Sequence, residues 1–492
     1  YEIHWRDWSS DVCSSDLKAD YSESVDKELK KHQKNVAVKG FRTGAAPAGM
    51  IKSMYGKSIL AEELNKLSSK ALYDYLKDNN IDILAQPIES ATIKSDIDIE
   101  KGENFLFAFD LGLAPQFELR KEPYRGDAVK TFFGNLLPEG TPLDEVLNQI
   151  QLRGANTLEL IGELGADLPG VLSVLPDHVT PNQLQKYSEL SKAQLSARVN
   201  ARADKQALLT SNAQTRMSLA GAQDKVGLRY DDQRGLLYDS VAGAPTTHIA
   251  KPDSRLVRYQ PSAINEYLCM KLAAEMQLPV PPVYLLRLPE ALYVVQRYDR
   301  VVVNEEIICL HQIDACQLLG VGSDWKYERQ GGFVSLEKIV HAFRDLKLSG
   351  KDLLSVQRWV MFNYLIGNSD AHAKNISLMI NSQGYVLAPF YDLLCVQAYG
   401  DNDLALFIGD ENTYHAVGAH SWEAFCADCE FGFKPSMALF RKMARDIGKS
   451  WEKTVGAATR QLQLSTAESL LIEKIGAIIR SNSKAALSMT SS

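Results

Sequence analysis

The sequence predicts an α+β protein in which a small α+β domain precedes two lobes, the first rich in β-strands and the second all-helical. Three observations lead to this prediction. Short apolar runs bounded by turn residues recur between residues 217 and 297, which is typical of strands. From about residue 350 onward, apolar side chains instead recur at helical spacings. Before residue 120 the sequence changes character, so a separate domain is expected there.

Length and composition are those of an ordinary globular protein with about three domains. The chain has 492 residues, of which 45% are apolar and 23% charged, and its net charge of −7 does not favour wholesale coating of nucleic acid. There is no run of about 18 apolar residues, and residues 1–7 lack the layout of a signal peptide, so we expect a cytoplasmic protein without membrane contact. The seven cysteines are scattered, and we expect neither disulfides nor a metal role for Cys426 and Cys429.

Residues 1–17 have neither helical nor strand periodicity and include two tryptophans among serines and aspartates. We expect this leader to be non-native or disordered. It resembles translated sequencing-adapter sequence, and the alternative is a disordered native tail.

Residues 18–119 combine a charged helical segment with a loop and a second helical segment. In the loop, glycines and a proline surround Phe41 and Arg42, and Gly44 completes a tight exposed turn that brings the arginine forward. The second segment has leucines at helical spacing, namely Leu60, Leu64, Leu67, Leu72 and Leu76.

Together with the apolar run at residues 105–115, this loop and helix pair resemble the N-terminal ribosome-binding domain of trigger factor. The resemblance implies ribosome contact through Phe41, Arg42 and Gly44. Ala45 stands where that family usually has a basic residue, and a structural turn is the alternative interpretation.

The strand-rich lobe contains a loop of small residues that ends in a lysine. Small side chains let backbone N–H groups approach phosphate oxygens, and the lysine adds a positive charge. A hairpin turn has a similar sequence, so the loop is a candidate phosphate site only in context; it comprises Ala220, Gly221, Ala222, Gln223, Asp224 and Lys225.

Downstream of this loop, Lys251 ends an apolar strand, and residues 262–276 have the spacing of an amphipathic helix. Glu266 on that helix is placed to pair with Lys251, as a helix glutamate pairs with a strand lysine in protein kinases. A solvated glutamate on a helix face is the alternative.

The second lobe contains an apolar helix over residues 353–366, followed directly by a polar loop. In this loop Asp370 and Asn375 repeat the D-x-x-x-x-N spacing of a kinase catalytic loop, where the aspartate accepts the substrate's hydroxyl proton and the asparagine holds magnesium. Two apolar runs joined by a turn predict a hairpin over residues 376–390, which brings Asp392 beside Asn375 as a second metal ligand. A solvated turn is the alternative for any one of these residues.

Residues 132–140 read Phe-Phe-Gly-Asn-Leu-Leu-Pro-Glu-Gly. Together with the loop at 217–225, the strand and polar crossing at 291–300, the segment 310–320 and the catalytic loop, this motif resembles the HipA family of bacterial serine/threonine kinase toxins. The resemblance implies a two-lobed protein-kinase-like fold that uses ATP and Mg²⁺.

The resemblance also implies a role for each matching residue. Asp370 is the catalytic residue, Asn375 and Asp392 bind Mg²⁺, and Ser218 is an autophosphorylation site. Asp314 orders the catalytic loop by hydrogen bonding, in a segment expected to be a helix beneath that loop. The nucleotide-binding residues are the phosphate loop 220–225 with Lys251, the adenine-facing Gln296, Arg297 and Tyr298, and finally His372, Lys374 and Tyr391.

We interpret His372 as structural rather than as a base, and Lys374 as a cation that offsets charge on the phosphoryl group. The family further implies a DNA-binding antitoxin of the HipB type, with operator DNA contacted only through that antitoxin. It also implies a protein substrate, which in the best-known relative is an aminoacyl-tRNA synthetase.

Most of the small β subdomain that precedes residues 132–140 in the family is missing, and the trigger-factor-like segment stands in its place. An artificial junction near residues 119–121 is the simplest explanation, and a gene fusion is the alternative. The predicted domains are the leader 1–17, the trigger-factor-like domain 18–119, the strand-rich lobe 120–297 and the helical lobe 298–492. The rival function is a ribosome-associated chaperone module joined to an inactive kinase fold.

Overall fold

A computed structural model of the chain describes residues 12–16, 18–36, 38, 41–42, 44–78, 88–89, 105–110, 125–152, 154–175, 186–209, 217–241, 243–303, 306–381 and 384–489. Contacts divide the chain into two compact units, Tyr1–Lys121 and Glu122–Ser492. Among the helices in the described stretches, none is long and apolar enough to cross a membrane.

The first unit contains two helices and a small antiparallel sheet. Its elements are β1 (Val12–Asp16), α1 (Lys18–Asn35), α2 (Ala48–Asp78), β2 (Ile88–Glu89) and β3 (Phe105–Asp110). The sheet order is β1-β3-β2. The predicted second helix is present, and its Leu64 is buried with Tyr21 of α1 in one apolar cluster, against which Leu60 and Leu67 pack. The Leu76 side chain lies outside what the structure describes.

Strand β1 corrects the expectation of an unstructured leader. Strand β1 pairs antiparallel with β3, in a register that runs from Val12 opposite Phe109 to Asp16 opposite Phe105. Strand pairing uses backbone N–H and C=O groups, so a segment without side-chain periodicity can still pair with an apolar neighbour. Residues 1–11 and Leu17 lie outside the described residues.

The glycine loop lies between α1 and α2, as predicted. Arg42 is exposed, and the Phe41 side chain is 42% exposed. Gly44 has φ +85°, and a Cβ there would lie 3.3 Å from the carbonyl oxygen of Lys34. A glycine is therefore required at this turn.

In the second unit, three short helices precede the sheet of the first lobe: α3 (Asp127–Gly134), α4 (Gly140–Gln149) and α5 (Thr157–Leu164). Leu136, Leu137, Leu160 and Ile161 from this region share a buried core with Leu219. The motif at residues 132–140 thus packs against the segment that leads into the phosphate loop.

After these three helices, the described part of the first lobe continues with six strands and two further helices. These are β4 (Lys186–Glu189), α6 (Lys192–Ala201), β5 (Val226–Asp231), β6 (Leu236–Val241), β7 (His248–Pro252), α7 (Ser262–Glu275), β8 (Val283–Arg287) and β9 (Ala291–Gln296). The strands form one antiparallel sheet in the order β4-β6-β5-β7-β9-β8. The predicted helix at 262–276 and the predicted strand at 291–296 are confirmed.

The described residues of the second lobe form six α-helices: α8 (Ala315–Leu319), α9 (Leu336–Asp345), α10 (Gly350–Ile366), α11 (Ala419–Asp428), α12 (Phe433–Gln461) and α13 (Thr466–Met489). Its core includes Trp359, Phe362, Trp422 and Phe440, all almost fully buried. The predicted apolar helix before the catalytic loop is α10, and it ends at Gly367, whose φ is +75°.

This lobe is not all-helical. It also contains β10 (Arg300–Val303), β11 (Glu306–Cys309), β12 (His311–Asp314), β13 (Ser377–Asn381), β14 (Gly384–Leu387), β15 (Asp403–Ile408) and β16 (Glu411–Thr413). The hairpin β13–β14 was predicted, but β12 occupies the first half of the segment expected to be a helix beneath the catalytic loop. Short apolar runs cannot be assigned to strand or helix by periodicity alone, which explains these misses.

Candidate active site

A cleft of about 280 Å³ lies between the two lobes of the second unit. It gathers almost every residue that the sequence marked as catalytic, metal-binding or nucleotide-binding. These are Ala220, Gly221, Ala222, Gln223, Lys225, Lys251, Gln296, Arg297, Tyr298, Asp370, His372, Lys374, Asn375, Tyr391 and Asp392. Asp224 and Ser218 do not line it.

The catalytic loop is fixed to the end of α10 by hydrogen bonds. Asn368 donates through Nδ2 to Asn363 Oδ1 (2.8 Å), and its own Oδ1 accepts the backbone N–H of Asp370 (3.2 Å). Asn375 Nδ2 donates to the backbone carbonyl of Asp370 (3.0 Å). The carboxylate of Asp370 is therefore presented from a rigid helix end.

Asp370 has the properties of a general base. Burial raises the pKa of its carboxyl to about 6, although the hydrogen bond from Tyr327 opposes this rise. The Tyr327 hydroxyl donates to Asp370 Oδ1 over 2.8 Å. A carboxylate with a pKa in this range accepts a proton more readily than an ordinary aspartate does and is still ionised at neutral pH.

Asn375 and Asp392 supply oxygen ligands of the kind that Mg²⁺ prefers. Because Asn375 uses its Nδ2 on the loop backbone, its Oδ1 is left as an acceptor. Asp392, with φ +75°, is partly buried, with its side chain 28% exposed, and although desolvation opposes ionisation, Lys251 and Lys225 hold its pKa well below the ordinary value. The described residues contain no group of three acidic, histidine or cysteine ligands, but Mg²⁺ in phosphoryl-transfer sites needs only one or two carboxylates besides phosphates.

The predicted pairing of Lys251 with Glu266 is present. Lys251 Nζ on β7 donates to Glu266 Oε1 on α7 over 2.7 Å and also contacts Asp392 Oδ1. Burial lowers the pKa of Lys251, but these two carboxylates outweigh that effect and raise it above the ordinary value. The lysine therefore stays charged beside the metal ligand, where ATP phosphates are expected.

The phosphate loop is held in position by a hydrogen bond within the loop and by another from the motif at residues 132–140. Gly221 has φ +107°, and a Cβ there would lie 2.8 Å from Lys225 Nζ, which donates to Ala220 O (2.6 Å). Burial lowers the pKa of Lys225 to about 8, and the charge of Lys251 adds to this effect. From the other side, the backbone N–H of Glu139 donates to Gly221 O (3.1 Å).

Ser218 is fully buried, and its Oγ donates to the carbonyl oxygen of Leu136 over 2.6 Å. In this conformation no phosphate donor reaches the hydroxyl.

Asp224 likewise points away from the cleft because Arg255 and Arg202 hold its carboxylate. Its prediction as a nucleotide-binding residue has no support from this geometry.

At the hinge, the Arg297 side chain turns into the protein. Its guanidinium contacts Asp167 and Asp299 and is 2% exposed, so only backbone groups of Arg297 are available to a ligand. Tyr298 and Tyr391 are stacked with ring centroids 5.6 Å apart. Tyr298 is held by Gln312, and Tyr391 by the carbonyl oxygen of Lys374, so two aromatic rings are fixed in the wall of the cleft.

Lys374 has a structural role, because its ammonium is fully used in hydrogen bonds within the protein. Its ammonium donates to Asn135 O (2.7 Å), Asn135 Oδ1 (3.2 Å) and Asp314 Oδ2 (3.0 Å), which uses all three of its hydrogens. Asp314 thus orders the catalytic loop as expected, and it also caps α8. Burial lowers the pKa of His372 to about 3, so its ring is neutral and packs edge-on against Tyr327, in keeping with a structural role.

Sequence reasoning missed several residues that line the cleft, among them Asn135, Glu139, Gln312, Lys326 and Tyr327. Asn135 and Glu139 lie in the recognised motif at 132–140, but no role followed from it. Lys326 and Tyr327 lie in an irregular segment between α8 and α9, where no periodicity or spacing marks a residue.

Three family models match the chain. The HipA-like C-terminal domain matches residues 217–455, the HipA N-terminal domain matches 103–175, and the bacterial trigger factor protein (TF) model matches 17–132. The last two overlap at 103–132, so the sequence passes from one family to the other there. Curated trigger factors match over 111 residues, 24% of their length.

Two relatives and one solved structure are similar to the second unit. Y4mE of Sinorhizobium fredii, named as a kinase, is 34% identical over 335 residues, 65% of this chain and 78% of the relative. The serine/threonine-protein kinase toxin HipA of Shewanella oneidensis is 28% identical over 322 residues, 60% of this chain and 70% of the relative. A structure of Shewanella oneidensis HipA with HipB and operator DNA superposes with a TM-score of 0.64, covers 74% of this chain and 87% of that one, and is 23% identical.

Proposed function

Since the second unit of this chain belongs to the HipA family of serine/threonine kinases, we propose that its cleft transfers the γ-phosphate of ATP to a serine or threonine hydroxyl of a protein, as the toxin of a toxin–antitoxin module. One observation carries the proposal. Asp370, Asn375, Asp392 and the Lys251–Glu266 pair, from separate parts of the sequence, meet in one cleft.

In the transfer, the acceptor oxygen bonds to the γ-phosphorus while the bond from that phosphorus to the β–γ bridging oxygen breaks, and ADP leaves. Asp370 takes the hydroxyl proton. Asn375 and Asp392 fit Mg²⁺, which when bound neutralises charge on the phosphate oxygens. Most of the rate gain in such a site comes from positioning and charge neutralisation rather than from covalent chemistry.

Several of the remaining predicted residues would bind the nucleotide. Lys251 and Lys225 are placed for the phosphates, and the backbone of Gln296–Tyr298 for the adenine edge. The stacked pair of Tyr298 and Tyr391 provides an aromatic wall for the base.

The test is transfer from γ-labelled ATP by the full chain, with Mg²⁺ or with a chelator, followed by acid hydrolysis to identify the labelled amino acid. We expect label on serine or threonine with Mg²⁺ only. An equal amount of label with the chelator, or label on another residue type, would contradict the proposal.

We further propose Ser218 as an autophosphorylation site that switches the enzyme off. Because Ser218 is buried against Leu136, its modification requires the phosphate loop to leave the cleft. A phosphoserine has about two negative charges and no hydrogen to donate to the carbonyl oxygen of Leu136, so it cannot return to this buried position and the loop would stay displaced. Ser218→Ala is expected to abolish most self-labelling, with exposed Ser488→Ala as the control; unchanged labelling in Ser218→Ala would refute this switch.

The expected partner is a small DNA-binding antitoxin, because the similar solved structure is a complex of HipA with HipB and operator DNA. Operator DNA would then be reached only through that antitoxin. The substrate is proposed to be a protein serine, and an aminoacyl-tRNA synthetase is the first candidate.

A ribosome contact through the first unit is a second candidate function, favoured by the trigger factor match over residues 17–132 and by the exposure of Phe41 and Arg42. Binding of the chain to large ribosomal subunits is expected to fall in Arg42→Ala. Binding that is absent in the parent, or unchanged in the variant, would remove this function. Reading the genomic locus across residues 119–121 decides between a fusion and an artificial junction.

A further inference from the structure

Four lysines line the cleft among the described residues, and the contacts above assign three of them. Lys374 makes three hydrogen bonds within the protein, Lys251 lies between two carboxylates, and Lys225 belongs to the phosphate loop. The fourth, Lys326, comes from the irregular segment between α8 and α9 and has no role so far.

Lys326 is fixed directly against the catalytic loop. Its backbone carbonyl accepts the N–H of Ala373 (3.2 Å), and the hydroxyl of the next residue, Tyr327, donates to Asp370. The Lys326 side chain is 10% exposed, so its ammonium lies within the walls of the cleft. The segment that orients the catalytic base therefore also brings a cation into the cleft.

In the described part of the chain, one carboxylate contacts this ammonium. Glu139 Oε2 accepts from Lys326 Nζ over 2.5 Å. An ammonium has three hydrogens to donate, so two remain for another acceptor. A buried ammonium with a single carboxylate partner can therefore bind a second anion.

Glu139 also connects Lys326 to the phosphate loop. Its backbone N–H holds Gly221 O, while its side chain holds Lys326. Glu139 Oε1 is buried and has no hydrogen-bond partner among the described residues; Lys374 Nζ is 3.9 Å away. One residue thus fixes the ammonium relative to the loop in which the phosphates are expected.

We propose that Lys326 is a further catalytic residue, the cation that stabilises the phosphoryl group during its transfer to the acceptor, and that Glu139 positions it. This inference rests on the proposed phosphate transfer. As the bond to the bridging oxygen breaks, negative charge is spread over the oxygens of the transferred group, and the two free N–H groups of Lys326 donate to them. Lys326 then has the role here that the sequence suggested for Lys374.

The test compares the full chain with Lys326→Met, Lys326→Arg and Glu139→Gln, and uses exposed Lys351→Met as the matched control. Single-turnover loss of the γ-phosphate from labelled MgATP is expected to fall roughly 10²- to 10³-fold in Lys326→Met. The affinity for a non-hydrolysable ATP analogue should change by less than about threefold, because the interaction forms in the transition state. Lys326→Arg should recover part of the rate, and Glu139→Gln should fall between Lys326→Met and the parent.

The affinity for MgADP with aluminium fluoride, a mimic of the phosphoryl group in transfer, separates this inference from the proposed function. If the parent transfers no phosphate but binds the mimic more tightly than MgADP, and Lys326→Met loses that difference in affinity, then Lys326 does bind the phosphoryl mimic as inferred, and it is the transfer proposal that fails. The role of Lys326 would be overturned if the parent and Lys326→Met preferred the mimic over MgADP by the same factor. A folded Lys326→Met that keeps the parent rate, or that loses ATP-analogue binding as much as rate, would also overturn it.

Discussion

Two groups of charged side chains in the second unit, one buried at the hinge and one partly buried in the cleft, are organised in opposite ways. The hinge cluster, formed by Asp167, Arg297, Asp299 and Arg300, pairs each arginine with both aspartates, and all four side chains are at most 7% exposed. Further bonds run to Leu168 O, Gly170 O and Thr246 Oγ1. Within the described residues, Arg300 Nε is the one atom of this cluster without a partner.

The cleft cluster, formed by Glu139, Lys326, Asp370 and Asp392, is less satisfied. Glu139 Oε1 has no partner among the described residues, Lys326 has one carboxylate, and Asp370 has a raised pKa. Unsatisfied buried charge costs stability, so it persists where a ligand or a reaction uses it. The contrast teaches that the hinge charges satisfy one another and so stabilise the fold, whereas the cleft charges keep unpaired capacity that fits the proposed nucleotide and proton transfer.

The largest effect on stability should come from breaking the hinge cluster. Arg297→Leu leaves two buried aspartates short of a partner, and breaking a buried pair in this way costs about 3–5 kcal/mol. Denaturant unfolding of the full chain measures this change. Arg234→Leu, whose side chain is 75% exposed, is the control and should change stability by less than about 0.5 kcal/mol.

A smaller loss of stability should follow when the hydrogen bonds of Lys374, which connect the catalytic loop to the motif at residues 132–140, are removed. Lys374→Met removes three hydrogen bonds to Asn135 and Asp314, and we expect about 2–4 kcal/mol of destabilisation. The same unfolding measurement on Lys326→Met should show a smaller loss than Lys374→Met, because one hydrogen bond to a carboxylate is lost instead of three hydrogen bonds. Equal destabilisation by the two variants would mean that both lysines are structural. The assignment of Lys374 as structural and of Lys326 as the catalytic cation would then be wrong.

The smallest effect concerns pH. Asp370 must be ionised to take a proton, so with its pKa near 6 the transfer rate should fall as the pH drops through about 6. The Tyr327 hydrogen bond favours the ionised form, so Tyr327→Phe should raise the pKa and move this fall to higher pH by roughly 0.5–1 unit. A pH–rate profile of both proteins measures the shift; a shift toward lower pH would contradict the role given to Tyr327.

Much of this architecture was readable from sequence because its signals are local. The hairpin β13–β14, helix α7 and helix α10 follow directly from apolar spacing and turn residues. The D-x-x-x-x-N spacing and Lys251 predicted residues that do line one cleft.

The remainder depends on contacts between distant segments. Lys374 looked like a ligand for the nucleotide, but Asn135, over 100 residues away, accepts two of its hydrogen bonds. Phe433 and Leu470 belong to the apolar side chains that recur at helical spacing after residue 350, yet they are 38% and 61% exposed. Lys326 had no local signal because only tertiary contacts with Glu139 and Ala373 show its place.

The most direct test of the central claim is magnesium-dependent phosphate transfer from γ-labelled ATP by the full chain and by Asp370→Asn, with exposed Asp345→Asn as the matched control and unfolding measured on all three. We expect Asp370→Asn to lose about 10²- to 10⁴-fold in rate. Its stability should be equal to or above that of the parent, because the raised pKa of Asp370 means that its ionised form is disfavoured in the fold. Transfer that continues unchanged in Asp370→Asn, or a folded parent with no transfer at all, would contradict the account.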